Sequence, residues 1–169
     1  KRQDGSVDKL PKPSVDTGAG LERLAAALNH CYANYETDLF APLINRVAEL
    51  SGVKYVPLVY RYREGSSPAE LEDGMPHRVI ADHIRAVTFA LVDGAVFSNE
   101  GRGYVLRRIL RRAVRYGRRL GIEKPFLADL VELVVAALGE QYPVIRERKD
   151  HLENLIAAEE ERFAETLAK

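Results

Sequence analysis

Gly101-Arg102-Gly103-Tyr104-Val105-Leu106-Arg107-Arg108-Ile109-Leu110-Arg111-Arg112-Ala113-Val114-Arg115-Tyr116-Gly117-Arg118-Arg119-Leu120 decides how this chain folds. At about 100° per residue, counted from Arg102, the other seven arginines fall between roughly 140° and 280° on the wheel. Val105, Leu106, Ile109, Leu110, Ala113, Val114 and Leu120 fall mostly on the other side. Only a helix sorts charge from apolar surface at this spacing. One face therefore packs, and Arg107 to Arg119 form a basic stripe roughly 20 Å long on the other. Arg102 lies off the stripe, at the helix start. Gly121 ends the helix.

The same period extends outward in both directions. Downstream, Pro125 opens a segment that is mostly apolar through Val131, Leu133, Val134, Val135 and Leu138, which implies a buried helix up to Gly139. Pro143 opens a last, polar helix to the terminus. Upstream, Val79, Ile80, Ile84, Val87 and Leu91 predict a helix over Pro76–Leu91, stopped by Asp93-Gly94. Leu39, Leu43, Val47 and Leu50 predict another, capped by Thr37 or Asp38 and ended by Ser51-Gly52. Leu21, Leu24, Ala25 and Leu28 predict a first helix over Leu21–Tyr32. Between 53 and 76, Gly65-Ser66-Ser67-Pro68 and Gly74-Met75-Pro76 break any period, and this is expected to be the most mobile part. Val56 to Tyr62 reads as a short strand or extended piece. The opening has a turn at Asp4-Gly5-Ser6, then Pro11 and Pro13, which hold the chain extended. The fold class is mainly α, a helical bundle preceded by a small extended or β segment.

The composition narrows the function. The chain has 169 residues, 25 Lys plus Arg and 25 Asp plus Glu, so it is no uniformly basic nucleic-acid coat. With 46% hydrophobic residues it builds a core and is no acidic disordered tail. One cysteine excludes an internal disulfide and a cysteine zinc cluster. No apolar run reaches the roughly 18 residues that span a membrane. No cleavable signal pattern opens the chain. The first residue is Lys, which fits a section of a longer protein, and the default location is intracellular.

Neutrality is a sum of patches. Residues 99–120 hold eight arginines and one acid, Glu100. Acids gather at Glu64, Glu70, Glu72 and Asp73, and again at Glu159, Glu160, Glu161 and Glu165. A solvated helix face normally mixes Lys with Glu, whereas this one is all arginine, the side chain that forks onto phosphate. A stripe tracking an RNA backbone explains it better than simple solvation. A face that meets an acidic partner, or the chain's own acidic loop, is the remaining alternative.

A second feature is Val15-Asp16-Thr17-Gly18-Ala19-Gly20-Leu21-Glu22-Arg23, an extended piece running through a glycine-rich turn into a helix. Glycines let backbone approach a ligand, and free amides at a helix start favour anions. Arg23 in the first turn opposes the helix dipole, which makes sense if it faces phosphate. On pattern alone, a tight turn with a solvated arginine accounts for it too.

The longer string from Pro11 to Leu24 resembles motif 3 of the class II aminoacyl-tRNA synthetases, in the form found in alanyl-tRNA synthetases. Asn34-Tyr35-Glu36-Thr37-Asp38-Leu39-Phe40, Ala81-Asp82-His83-Ile84-Arg85-Ala86 and Ser98-Asn99-Glu100-Gly101-Arg102-Gly103-Tyr104-Val105-Leu106-Arg107-Arg108 are similar to further strings of that family, in its order. Ala19 stands where many relatives carry methionine, an apolar position either way.

The resemblance implies roles residue by residue. Asp16 would pair with the ammonium of alanine, Gly18 and Gly20 would line the amino-acid pocket and adenine site, and Arg23 would contact ATP phosphate. Asn99 would read base edges of the tRNA(Ala) acceptor stem, and Arg102, Arg107, Arg108, Arg111 and Arg112 would hold its phosphates, with Arg115, Arg118 and Arg119 as further candidates. Residues 1–34 would end a catalytic domain, and 35–169 would form a helical tRNA-recognition domain. The parent would be a cytoplasmic alanine–tRNA ligase using ATP with Mg2+. The section itself is expected to hold no cofactor, zinc or membrane contact. It is expected to be inactive alone, since motifs 1 and 2 of the class are absent. The alternative is a non-catalytic RNA-binding helical module.

Other candidates read as structural. His83 with Asp82 and Arg85 suits a polar contact between helices. His30, His77 and His151 lack ligand spacing. Cys31 suits a small core residue. Tyr60-Arg61-Tyr62-Arg63 interleaves aromatic and basic groups as single-strand binders do, but an edge strand or loop fits it better. Glu159 to Glu165 reads as a solvated helix face.

Overall fold

The computed structural model describes residues 12, 14, 18–57 and 74–167. Its elements are α1 (Leu21–Leu28), a 3-10 turn (Asn34–Glu36), α2 (Ala41–Ser51), α3 (Met75–Val92), α4 (Gly101–Arg119), a second 3-10 turn (Ala128–Leu130), α5 (Val131–Leu138), α6 (Pro143–Glu147) and α7 (Lys149–Leu167). The protein is mainly α, and no strand occurs among the described residues. The Asp4–Ser6 turn, Pro11, Pro13, Asp16, most of the 53–76 connection and the acids Glu64 to Asp73 lie outside them.

α3 is the axis of the bundle, in contact with α2, α4, α5, α6 and α7. Its Ile80, Ala81, Ile84, Val87 and Leu91 meet Leu43, Ile44 and Val47 of α2, and Leu106, Leu110, Ala113 and Val114 of α4, in one apolar cluster. A helix packed on several sides must also satisfy its buried polar groups. Thr88 does so by donating its hydroxyl to the Ile84 carbonyl at 2.8 Å.

Several element ends differ from the sequence reading, each for a local reason. α1 stops at Leu28 because His30 turns left-handed (φ 54°) and the Cys31 amide returns to the Ala26 carbonyl at 2.8 Å. α2 begins at Ala41, not at Thr37 or Asp38. The Thr37 hydroxyl donates to Asn34 O at 2.6 Å, and the Thr37 carbonyl accepts the Phe40 and Ala41 amides, making a separate turn. α5 begins after Ala128–Leu130 rather than at Pro125. The expected last helix is two, α6 and α7, broken at Arg148, where Arg148 Nη1 reaches Val92 O at 3.4 Å.

The acidic run of α7 is a correction. Glu159 and Glu160 are each only 2% exposed, so they form part of the packed face with Leu152, Ile156 and Phe163. The apolar row of α1 is the converse: Leu21, Leu24 and Leu28 stand 64, 52 and 80% exposed. Cys31 is half-buried beside the first 3-10 turn rather than in the core.

Candidate functional site

α4 carries the arginines as its period requires. Gly103, Leu106, Leu110, Ala113, Val114 and Gly117 are buried. Two glycines permit close packing. A Cβ on Gly103 would collide with the Val96 carbonyl and Ser98, and one on Gly117 with the Phe126 ring. The first seats the 95–100 segment, and with it exposed Asn99, on the first turn of α4.

The stripe divides into two rows. Arg107 and Arg111 turn inward to α7, where one carboxylate oxygen, Glu159 Oε1, lies 2.9 Å from Arg107 Nε and 2.9 Å from Arg111 Nη2. Arg111 also donates through Nε at 3.1 Å. The Arg107 contact is ionic, without an aligned Nε–H hydrogen bond, and Glu159 Oε2 has no hydrogen-bond partner among the described residues. Arg107 donates through Nη1 to Asn99 Oδ1. Arg108, Arg112, Arg115 and Arg119, spaced at four, three and four residues, form the outward row, with Arg102 and Arg118 exposed beside it. None of these six makes an ion pair among the described residues. Tyrosines stiffen the row: Arg108 lies over Tyr104 (5.8 Å), and Arg112 and Arg119 over Tyr116 (5.7 and 5.2 Å). Arg115 lies 5.7 Å from the Phe163 ring centre.

The glycine turn forms a second site. Gly18, Ala19, Gly20, Arg23, Asn34, Tyr35, Asp82 and Arg85 are among the residues lining a cleft of about 460 Å³. Gly20 takes φ +79°, and a Cβ on Gly18 would meet nothing within 4 Å, so the backbone lies open to a ligand. Arg23 is exposed and makes no ion pair among the described residues. Arg85 crosses from α3 to bond Glu22 at 2.6 Å and lies 4.1 Å from the Phe40 ring centre, clamping α1 to the bundle. The bond of Glu22 to its own backbone, then Arg85, holds its carboxyl below the usual range. A hydrogen bond from His83 (3.1 Å) holds Asp82 low, helped by the charges of His83, Arg85 and Arg112. Burial pushes the Tyr35 hydroxyl up. Of the residues predicted for the cleft, the structure brings Gly18, Gly20 and Arg23 together, and Asp16 lies outside the described residues.

A family model described as tRNA synthetases class II (A) matches residues 1–169. The chain belongs to that family. This synthetase chain is 46% identical over 165 residues to the alanine–tRNA ligase of Bdellovibrio bacteriovorus, covering 98% of the chain and 18% of the relative. It is 50% identical over 167 residues to that of Anaeromyxobacter dehalogenans, covering 99% and 17%. It is 49% identical over 164 residues to that of Bacillus mycoides, covering 97% and 17%. The synthetase chain therefore spans about a sixth of the length of these curated relatives.

Sequence reasoning missed two residues of the synthetase chain, Asp82 and Glu159. Asp82 lines the cleft from a helix about 60 residues downstream of the glycine turn, and only the fold joins them. Glu159 was legible in principle. Leu152, Ile156 and Phe163 recur at helical spacing, and Glu159 and Glu160 fall on the same face. Among the described residues, no group of three or more His, Cys, Asp or Glu could hold a metal ion, and no helix is long and apolar enough to cross a membrane.

Proposed function

We propose that this chain is the part of a cytoplasmic alanine–tRNA ligase that contributes one wall of the ATP and alanine site and grips the acceptor stem of tRNA(Ala). The observation that carries the RNA half is the outward row of Arg108, Arg112, Arg115 and Arg119, which spans about 16 Å at 1.5 Å per residue and makes no ion pair among the described residues. That length covers several phosphates of one strand, and guanidinium forks suit them. Asn99, exposed at the head of the row, reads a base edge in the shallow minor groove of A-form RNA. Arg102, Arg108 and Arg112 hold phosphates nearest it. Arg107 and Arg111, drawn to Glu159, fix the helix to α7 and set the row.

The cleft suits a nucleotide. Open backbone at Gly18 and Gly20, an Arg23 at a helix start that makes no ion pair among the described residues, and the Tyr35 ring offer phosphate and base contacts. Arg23 would neutralise charge on the triphosphate as the adenylate forms, and Mg2+ would bridge its phosphates. Asp16 would take the alanine ammonium. Residues 1–34 then end the catalytic domain, and the exposed Leu21, Leu24 and Leu28 would pack against further chain in a protein of the relatives' length. Residues 35–169 form the tRNA-recognition domain. The alternative, an RNA-binding module without chemistry, is favoured by the same row, which stands on α4 independently of the cleft.

Competition binding tests the proposal. An acceptor-stem hairpin should displace a labelled copy of itself at concentrations where a scrambled hairpin of equal length does not. Equal displacement by both would leave only nonspecific charge and sink the recognition role.

A further inference from the structure

The cleft at the glycine turn suits an anion, yet it also holds an acid. Open backbone at Gly18 and Gly20 and the exposed Arg23 suit phosphate, while α3 adds Asp82 to the same lining. α3 turns Ala81 and Ile84 into the core, and this leaves Asp82 and Arg85 for the cleft. The two acids of the lining differ. Glu22 is taken up by Arg85 at 2.6 Å. Asp82 meets no arginine or lysine at ion-pair distance among the described residues. Its partner is His83, whose Nδ1 lies 3.1 Å from Oδ2. An ionised carboxylate only accepts, so His83 donates from Nδ1. That bond, with nearby positive charge, holds the carboxyl below its usual range against the opposing effect of burial. Asp82 is therefore ionised at neutral pH. Oδ2 is taken, and Oδ1 makes no hydrogen bond among the described residues, on a side chain that is 47% exposed.

A bare anion beside a phosphate site repels the phosphate unless it binds another part of the same ligand. Ribose supplies that part. Its two adjacent hydroxyls suit a carboxylate oxygen with two lone pairs, as the ribose does on the acid of dinucleotide sites. We propose that Asp82 is a ligand-binding residue of the cleft that accepts the vicinal hydroxyls of a ribose, with His83 holding its carboxylate in position. This rests on the nucleotide reading of the cleft proposed above. ATP and the 3′ end of an RNA both carry a free vicinal diol, so both share this chemistry.

The test uses the 169-residue chain at pH 7, with binding followed by nuclear resonance at the Gly20, Tyr35 and His83 backbone amides. The probes are ATP, 2′,3′-dideoxy-ATP, inorganic tripolyphosphate, L-alaninamide, and a triribonucleotide with a natural or a 2′,3′-dideoxy 3′ end. Loss of the diol should weaken binding roughly 5- to 20-fold, the effect of a charge-assisted hydrogen bond at a half-exposed group. Asp82→Asn keeps the shape of the side chain. It should weaken ATP and erase its advantage over the dideoxy form. Tripolyphosphate has no hydroxyl, so it should bind the variant as well as the natural chain or better. A merely structural role would weaken all probes alike. The comparison of ATP with its dideoxy form in the natural chain needs no variant, and it serves if Asp82→Asn unfolds.

The outcomes separate. A diol penalty confined to ATP, or to the RNA, supports ribose recognition and names its source. If diol and dideoxy probes bind the natural chain alike, ribose recognition fails, while binding of tripolyphosphate leaves the phosphate reading of the cleft standing. If Asp82→Asn tightens ATP and tripolyphosphate alike, Asp82 is only a repelling wall and the proposal is overturned. It is overturned too if the variant loses L-alaninamide and keeps ATP, since the carboxylate then holds an ammonium. If no probe moves these amides at millimolar concentration, the nucleotide reading and the role of Asp82 fall together.

Discussion

Glu160 makes the fold sensitive to pH near neutrality. Its carboxylate accepts the Phe126 amide at 3.2 Å and the Leu127 amide at 2.9 Å, and so anchors the turn that leads into α5. Burial nevertheless pushes its carboxyl up to about 7; the two amides and Arg118 oppose the rise, and Asp129 adds to it. An acid with a raised folded value binds its proton more tightly in the native state, so its stabilising effect is complete below the unfolded value near 4.5 and is lost as pH rises through about 7. At about 1.4 kcal/mol per unit, the swing is about 3 kcal/mol between pH 4.5 and 8. Glu160→Gln keeps an oxygen for the amides and cannot ionise. Urea unfolding of both chains at constant ionic strength should therefore show the natural chain losing about 3 kcal/mol relative to the variant over that range. Slopes from other groups are common to both chains and cancel in the difference. Parallel stability curves would refute the reasoning, as would a natural chain that gains on the variant with rising pH.

Gly117→Ala drives a methyl group into the Phe126 ring, and should cost about 1–3 kcal/mol, seen as a lower midpoint in thermal unfolding. Arg85→Ala removes the Glu22 bond and the Phe40 contact. Since both partners of the pair are partly exposed, the loss should be only about 1–2 kcal/mol, and amide exchange should speed up in α1 more than in α5. The chain alone, spanning about a sixth of its relatives' length, should give no alanine-dependent ATP–pyrophosphate exchange, and measurable exchange would contradict that expectation.

The period of 3.6 made α3 and α4 legible to within a residue or two, because long amphipathic helices repeat their signal. Short-range chemistry was harder to read. Nothing in the leucine spacing of α1 shows that His30 turns left-handed, or that the leucines face outward. Thr37 looked like a cap because its side chain can be one, yet it serves its own turn. The arginine-only face was correctly read as basic, but the wheel does not say which neighbour supplies acid. Two of its arginines meet Glu159, 48 residues or more downstream. The glycine turn was visible as a candidate ligand site, while the far wall of its cleft at Asp82 and Arg85 needed the bundle to assemble.

The outward arginine row is the centre of the account, and the salt dependence of RNA binding tests it most directly. The logarithm of affinity for an acceptor-stem hairpin, plotted against the logarithm of salt concentration, should fall steeply for the natural chain. Arg108→Gln with Arg112→Gln should flatten the slope by roughly 0.7–0.9 for each phosphate contact removed. An unchanged slope in a folded double variant would mean that these arginines do not meet the RNA backbone.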